Sequence, residues 1–434
     1  MRIKEASFPA PFAEGLEYSA PARGTWNIVH TGMLIPESHQ IFVCAQGCLR
    51  GVVLTAAEAG CMDRYSAIAI REDNVLNGDM EELMVDGVAD ILGKLKKRPR
   101  VILLFISCQH FFLAYNREQV FAKLREKYPE IDFLDCYMIP TLRKSGMTPD
   151  QKMRIQMFSL LQKRETEPKQ VNLLGSNLPL DKDCELRQLL KGYQLCQIND
   201  CQSYEDYLAL AKASLNLYYE PLAALSMKEM EEKLGIPSFY LPFTFSFGAI
   251  EKNYEKLAEK LGILLPDFTP YQKEADEAMK RAKEALGDIP VVLDQTLTFR
   301  ILDFSRLLLS YGIKVTTIYA DRFLPEEEEN FLWLKKHYPE IELLSCSEPK
   351  MRFQRLRVPE IINNESGKEK ILALGQKAAY FAGTDYFVNV VESGGYFGYK
   401  GIVKLAEEMV VSVRNSKDTR DIIQRKGYGC ESCI

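Results

Sequence analysis

The chain has 434 residues, of which 47% are hydrophobic and 26% are charged, and its formal net charge is -5 at pH 7. This length predicts two to four domains, and the composition is ordinary for a globular protein rather than a disordered or fibrous one. Basic and acidic residues are mixed along the chain, so we predict no nucleic-acid partner. No apolar run reaches the roughly 20 residues that cross a bilayer, and the N-terminus lacks a signal-peptide pattern. We therefore expect a cytoplasmic protein without membrane contact.

Short apolar segments alternate along the chain with longer amphipathic ones, which is typical of parallel βαβ units. The predicted strands in chain order are 41–43, 101–107, 131–139, 171–175, 236–241, 289–294, 313–320, 341–346 and 385–391. The predicted helices between them include 80–97, 204–235 and 276–287. The pattern predicts an α/β fold with mostly parallel sheets.

Two interruptions in this pattern predict domain boundaries. The polar segment QKRETEPKQ at 162–170 directly precedes a strand, and Gly287 ends a helix shortly before Pro290 introduces the next strand. We predict an N-terminal arm, three α/β domains and a C-terminal tail, at 1–24, 25–165, 166–287, 288–413 and 414–434.

Eleven cysteines and only four histidines point to thiols or thiolate ligands rather than to imidazole sites or disulfides. Cys44 and Cys48 closely follow a predicted strand, Cys61 comes after the next helical segment, and Cys108 ends a later strand. The carboxyl ends of parallel strands converge, so these thiols could meet at one edge of a sheet. Zinc ribbons use paired C-x2-C spacings, which these residues lack, whereas dispersed cysteines also suit iron–sulfur ligation. The alternative is that each thiol is a small buried hydrophobe.

Five segments of the chain carry a family resemblance. They are IFVCAQGCLRG at 41–51, VILLFISCQH at 101–110, the strand–loop–helix segment at 171–195, the segment at 211–239 that ends in EEKLGIPSF, and SGGYFGYKGIVKLAEEM at 393–409. In this order and spacing they resemble the nitrogenase component 1 family over roughly 25–413. That family contains nitrogenase catalytic subunits, dark-operative protochlorophyllide and chlorophyllide reductases, and scaffold subunits that build the nitrogenase cofactor.

The resemblance implies three Rossmann-like domains and an iron–sulfur cluster held by cysteines of two subunits. It implies Cys48 and Cys108 as ligands, with Cys44 and Cys61 as further candidates, and either a [4Fe–4S] cluster or a larger one at a subunit interface. The implied partners are a homologous or identical second subunit, in a dimer or tetramer, and a separate ATP-hydrolysing iron–sulfur reductase protein.

One departure concerns the first cluster cysteine of the family. It should fall near VHTGMLIPES at 29–38, where this chain has His30 and Thr31 instead. Either Cys44 or Cys61 replaces it, or this chain supplies fewer thiolates.

Two further departures concern the molybdenum–iron cofactor of nitrogenase. Tyr219 stands where nitrogenase has the cysteine that anchors that cofactor, and the segment 386–395 lacks the expected histidine ligand. We therefore predict that the substrate is not dinitrogen.

The loop ESGGYFGYKG at 392–401 lacks a complete G-x-G-x-x-G nucleotide fingerprint. We predict instead that Gly394 and Gly395 line a substrate pocket together with Tyr219. No G-x-x-x-x-G-K-[ST] motif occurs in the chain, so ATP hydrolysis must come from a partner.

Three more residues have two interpretations each. His110, beside Cys108, is either a hydrogen-bond donor to a cluster sulfur or a structural histidine. Cys430 and Cys433 form a C-x2-C pair close to the C-terminus. That pair either binds metal or exchanges disulfides, or consists of incidental thiols in a mobile tail.

Three functional hypotheses remain from the sequence. The first is an oxidoreductase subunit that passes low-potential electrons from the reductase protein, through the cluster, to an unknown substrate. The second is a non-catalytic scaffold or carrier for an iron–sulfur cluster or metallocofactor. The third, which the sequence favours least, is a metal-free binding module built on similar α/β domains.

Overall fold

The computed structural model describes residues 1–13, 15, 17, 18, 20, 28–139, 146–354 and 370–419. Within these residues, thirteen strands form three sheets, and every strand pairing inside the sheets is parallel. Helices connect the strands, so the predicted α/β fold class with mostly parallel sheets is confirmed.

The first sheet has the strand order β2-β1-β3-β4. Its strands are β1 Ser38–Ala45, β2 Tyr65–Ile70, β3 Val101–Ser107 and β4 Asp132–Met138. The helices of this stretch are α1 Ile28–Met33, α2 Leu49–Glu58, α3 Glu72–Asn77, α4 Met80–Lys94, α5 Cys108–Phe112, α6 Arg117–Lys127 and α7 Pro149–Ser159. All seven residues of β3 are buried, which explains its uninterrupted apolar sequence, because helices cover both faces of a parallel sheet.

The side chains of β1 alternate between two separate hydrophobic cores. Phe42 and Cys44 belong to the core on one face, and Ile41 and Val43 belong to the core on the other. This alternation follows from the two-residue repeat of a strand. It decides which of the two cores each apolar side chain of β1 enters before the chain reaches Cys48.

The second sheet has the strand order β6-β5-β7-β8. Its strands are β5 Glu167–Leu173, β6 Gln194–Gln197, β7 Ala213–Tyr218 and β8 Ser238–Tyr240. The helices along this stretch of chain are α8 Leu186–Leu189, α9 Tyr204–Ala209 and α10 Ala224–Leu234.

The single long helix predicted over 204–235 is wrong. The structure has α9, then strand β7, then α10 in that stretch. In β7, Leu215 and Leu217 are buried, and Asn216 accepts a hydrogen bond of 2.8 Å from the Asn172 side chain of β5. Pairing with β5 and β8 therefore overrides the helical tendency of the segment, as tertiary context commonly does.

The third sheet has the strand order β11-β10-β9-β12-β13. Its strands are β9 Val291–Asp294, β10 Val315–Tyr319, β11 Glu342–Leu344, β12 Leu372–Leu374 and β13 Phe387–Val388. The helices after β8 are α11 Phe247–Leu261, α12 Thr269–Leu286, α13 Ile301–Ser310, α14 Glu328–His337, α15 Gln376–Ala382 and α16 Gly398–Arg414. Met1 and Ile3 form backbone hydrogen bonds with Leu343 and Ile341, so the first residues of the chain cover the edge strand β11.

The chain contacts divide the protein into two compact units. Unit 1 comprises Met1–Thr25, Leu180–Lys191 and Leu241–Ile434, and includes the third sheet. Unit 2 comprises Trp26–Pro179 and Gly192–Tyr240, and includes the first and second sheets. Each sheet lies within one predicted domain range, while the domain boundaries themselves stay predictions.

Candidate metal centre

The carboxyl ends of β1 and β3 lie side by side in unit 2, because the two strands are adjacent and parallel. Cys48 ends the 3-10 turn Gln46–Cys48 that follows β1. Cys108 directly follows β3 and is the first residue of α5. The fold therefore brings the two cysteine-bearing turns to the same edge of the sheet.

The two thiols interact electrostatically. Cys48 is exposed and Cys108 is half-buried. Burial raises the pKa of the Cys108 thiol, and the nearby Cys48 adds a smaller increase. Burial also raises the pKa of Cys44 to about 12, again with a contribution from Cys48. A bound metal ion would reverse these shifts, since a coordinating thiol is deprotonated.

The other two predicted ligands lie in different surroundings. Cys44 is fully buried within β1 and belongs to a hydrophobic core. Cys61 lies between α2 and β2, at the amino end of β2 and so at the opposite edge of this parallel sheet. Its thiol donates a hydrogen bond of 3.4 Å to the Ala56 carbonyl. The structure thus brings Cys48 and Cys108 together, but not Cys61 with them.

His110 holds the turn that begins with Cys108. Its Nδ1 accepts a hydrogen bond of 3.2 Å from the backbone N–H of Ser107, which assigns the ring proton to Nε2. The ring lies edge-on to Tyr115, with 5.0 Å between centroids. Burial lowers the pKa of His110 to about 4, so the ring is neutral at pH 7. Nε2 is buried and has no hydrogen-bond partner among the described residues, so both interpretations of this histidine stay predictions.

Sequence reasoning missed the exposed apolar residues that follow Cys108. Phe111, Phe112 and Leu113 are 58%, 71% and 48% exposed. Leu76 of α3, which follows β2 at the same edge, is 76% exposed. The apolar run FFL directly after a candidate ligand was the available signal. Large exposed side chains grouped at one edge are typical of a surface that another protein covers.

The segment that lacks the family's first cysteine is built around Thr31. Its hydroxyl is buried and donates hydrogen bonds to Asp150 at 3.2 Å and to Asn177 at 3.0 Å. Arg154 joins the same network, donating to Asp150 at 2.8 Å and to the Gly175 carbonyl at 2.6 Å. This network stabilises the segment without a metal, and no sequence motif indicated Asp150 or Arg154.

The predicted pocket residues belong to the two units separately. Tyr219 is buried directly after β7 in unit 2. In unit 1, Glu392, Ser393, Gly394 and Gly395 have consecutive φ angles of +49°, +60°, +63° and +75°. Left-handed backbone at two non-glycine residues is strained, and such strain concentrates at functional sites. A pocket shared by Tyr219, Gly394 and Gly395 stays a prediction from the sequence.

Among the residues that the structure describes, no group of three or more His, Cys, Asp or Glu side chains could hold a metal ion. Cys430 and Cys433 lie outside the described residues. The described part of the chain therefore offers two thiols close to each other at this edge, Cys48 and Cys108.

The family model for nitrogenase component 1 type oxidoreductases matches residues 29–414. The chain belongs to the nitrogenase component 1 type oxidoreductase family. The resemblance seen in the sequence is thereby confirmed. No curated protein sequence is similar enough to this family member to count as a match.

Solved structures of nitrogenase Cp1 show the same fold as this nitrogenase component 1 type protein. One, at pH 6.5, superposes with a TM-score of 0.67 and 16% identity, covering 93% of this chain and 94% of that chain. Another, at pH 5, has a TM-score of 0.57 and 14% identity, covering 93% and 90%. None of the helices in the described residues combines the length and apolar character needed to span a membrane.

Proposed function

We propose that this chain is a subunit of a nitrogenase-like, ATP-dependent reductase in which Cys48 and Cys108 hold an iron–sulfur cluster. One observation carries the proposal. The two thiols follow adjacent parallel strands, reach the same edge of the first sheet, and are close enough for Cys48 to raise the pKa of Cys108. Members of the family bind iron–sulfur clusters, which agrees with this thiol pair.

The donor set fits a cluster that two subunits share. A cluster takes about four thiolates, and the described part of this chain groups two at the edge. We propose that a homologous or identical second subunit supplies the others, giving a [4Fe–4S] or larger cluster. The exposed side chains of Phe111, Phe112 and Leu113 beside Cys108 support an interface there. The placement favours Cys48 and Cys108 over Cys44 and Cys61 as ligands.

The protein's own contribution is to fix the two thiols and exclude water around them. β1 and β3 hold the turns, and His110 locks the turn of Cys108 through Ser107. The second subunit would cover the apolar side chains and enclose the thiolates. When bound, the cluster would supply one-electron transfer at low potential.

Electrons would come from a separate ATP-hydrolysing iron–sulfur reductase protein. This chain has no phosphate-binding P-loop motif, so the partner must hydrolyse the ATP. Family members work with a reductase component, which supports this division of labour.

The acceptor would be a substrate other than dinitrogen. Tyr219 stands where nitrogenase has the cysteine that anchors its molybdenum–iron cofactor, and no histidine occurs in 386–395. Without the anchoring cysteine and the histidine ligand, this chain cannot bind that cofactor in the nitrogenase manner.

Iron and sulfide analysis of the anaerobically purified protein tests the cluster. We expect about four iron atoms per one or two chains. Cys48→Ser and Cys108→Ser should each lower iron retention, and the double variant should retain only background iron. Cys136→Ser is the matched control, because Cys136 is a fully buried core residue of β4 in the same sheet. Full iron retention in the double variant would overturn the ligand assignment.

Turnover separates the reductase from the scaffold hypothesis. The loaded protein is mixed with its reductase partner, ATP and dithionite, and cluster oxidation is followed as candidate acceptors are added. ATP-dependent oxidation with consumption of an acceptor supports the reductase. Transfer of iron and sulfide to another protein, without acceptor consumption, would instead identify a scaffold.

A further inference from the structure

A polar cleft of about 460 Å³ lies within unit 2, away from the candidate metal centre. It is lined in part by the segment before β1, by Arg64 just before β2, and by residues 198–202 after β6. The cleft therefore opens at the amino ends of β1 and β2, whereas Cys48 follows the carboxyl end of β1. The eight residues of β1 separate the two places by roughly 25 Å.

Arg64 is a half-buried cation in the wall of this cleft, and its hydrogen-bond partners are neutral. Its Nε donates to the Ser38 carbonyl at 3.0 Å, and its Nη2 donates to the Ile35 carbonyl at 2.6 Å and the Ser38 hydroxyl at 2.7 Å. Within the described part of the chain, no carboxylate forms an ion pair with Arg64, and Nη1 has no hydrogen bond. The guanidinium is thus anchored in one orientation, and the two N–H donors of Nη1 remain for a ligand.

Arg64 and Glu37 are the two charged residues that line the cleft. Glu37 is the acidic residue of the lining, and its carboxylate pairs with Lys97 at 2.9 Å. Asp63, whose charge reaches Arg64, is exposed to solvent and does not line the cleft. The lining is therefore formally neutral, and its positive charge lies on Arg64, which forms no ion pair with a carboxylate of the described residues.

The rest of the lining combines amide groups with apolar surface. The Asn199 side chain donates to the Asn177 carbonyl at 2.8 Å, and the Gln202 side chain donates to the Asp200 carbonyl at 3.1 Å. Met33, Leu34 and Ile198 contribute apolar surface. Small-molecule sites commonly have a few hundred Å³ and place a few oriented polar groups within apolar walls.

We propose that this cleft binds a small organic anion, a carboxylate on an apolar body, with the carboxylate on the guanidinium of Arg64. The Nη1 group of the anchored Arg64 keeps its two N–H donors, from which a carboxylate oxygen accepts a charge-assisted hydrogen bond. The apolar body lies against Met33, Leu34 and Ile198. This site needs no iron and is independent of the proposed cluster.

Benzoate and its neutral analogue benzyl alcohol test the proposal. Saturation-transfer NMR titrations on the full-length protein give the dissociation constant of each probe. We expect benzoate to bind roughly tenfold or more tightly than benzyl alcohol, as one charge-assisted hydrogen-bonded pair provides. Arg64→Gln should remove this preference.

Because Arg64 also holds the segment before β1, a second variant tests the cleft without removing those contacts. Gln202→Glu adds a negative charge to the lining and should weaken benzoate binding roughly tenfold while leaving benzyl alcohol binding unchanged. Gln119→Glu, on the exposed start of α6 and outside the lining, makes the same charge change and should have no effect. Equal binding of the two probes to the wild-type protein, or equal effects of the two glutamate variants, would overturn the proposal.

Discussion

Cys48 and Cys346 have equivalent places in two different sheets but opposite environments. Cys48 follows β1 at the carboxyl edge of the first sheet and is exposed. Cys346 follows β11 at the carboxyl edge of the third sheet and is fully buried. There, Asp321 accepts hydrogen bonds from the backbone N–H groups of Cys346 at 3.0 Å and Ser347 at 3.2 Å. The backbone N–H groups of the loop that carries Cys346 thus find their hydrogen-bond acceptor within the chain itself.

Asp294, at the end of β9, is a second carboxylate that binds backbone N–H groups at the carboxyl edge of the third sheet. Its carboxylate accepts hydrogen bonds of 2.7 Å from the backbone N–H groups of Thr296 and Ala378. Gly375 faces it with a φ of +111°, and a Cβ at that position would lie 2.2 Å from the Asp294 carboxylate. The carboxyl edge of a parallel sheet is available for chemistry only where the chain has not already filled it. Among the described residues, Cys48 is exposed at this edge of the first sheet, whereas in the third sheet the buried Asp294 and the Asp321 carboxylate bind the backbone of the loops there.

Removing the carboxylate that closes the third sheet should have the largest effect on stability. Asp294→Ala leaves two buried N–H groups without acceptors, so we expect the free energy of unfolding to fall by roughly 3–5 kcal/mol. Urea unfolding measures this loss. Asp288→Ala, six residues earlier at a fully exposed carboxylate, is the control and should cost under about 0.5 kcal/mol. Equal losses in the two variants would contradict the role given to Asp294.

A second buried carboxylate of unit 1 predicts the pH dependence of stability. Glu327 accepts hydrogen bonds from the backbone N–H groups of Leu302 at 2.8 Å and Asp303 at 2.9 Å. Burial, partly offset by Arg300, raises the pKa of Glu327 from 4.5 to about 7. The folded state therefore keeps a proton that the unfolded state loses as the pH rises above 4.5. This group's contribution to stability is full below pH 4.5 and is lost as the pH rises through about 7.

Glu327→Gln cannot titrate and isolates this contribution. Urea unfolding at pH 5 and pH 8 should show that the wild-type protein loses up to roughly 3 kcal/mol more than the variant does over this range. Parallel pH profiles for the two proteins would show that Glu327 ionises normally in the fold.

Thiol labelling compares the two edges directly in one molecule. Burial raises the pKa of Cys346 well above its ordinary value, and no solvent reaches its side chain. We expect iodoacetamide to modify Cys48 at least about 100-fold faster than Cys346 in the metal-free protein, as peptide mass spectrometry would measure. Labelling in urea provides the control, since the two rates should become similar once the chain unfolds. A similar rate for both thiols in the folded protein would remove the contrast.

The smallest expected effect concerns the apolar side chains beside Cys108. Phe112→Asp places a charge on the proposed subunit interface and should weaken association of the isolated complex about tenfold, without loss of monomer stability. Sedimentation velocity over a concentration series measures the association. Leu264→Asp is the matched control, because Leu264 is 94% exposed in unit 1 and lies outside the proposed interface. An unchanged association of the Phe112 variant would place the interface elsewhere.

Much of the fold could be predicted from local patterns. The sequence predicted β3 from its run of apolar residues. It also predicted the helix that ends at Gly287 and the strand β9 after it, because glycine and proline mark those ends. Strand β7 could not be predicted from local sequence patterns. Its sequence is compatible with a helix, and only the partners β5 and β8, supplied by other parts of the chain, select the extended form.

The sequence by itself determined the family, the α/β class and the nomination of Cys48 and Cys108, since these depend on motif order and on strands ending in cysteine. Only the tertiary structure decided which cysteines are enclosed. Cys44 is buried in one of the two cores that cover β1, and Cys61 lies at the opposite edge of the sheet from Cys48. The cleft at Arg64 also appears only in three dimensions. The burial of a cysteine, and its distance from the other cysteines, depend on elements that are distant in the sequence. No single segment of the sequence contains that information.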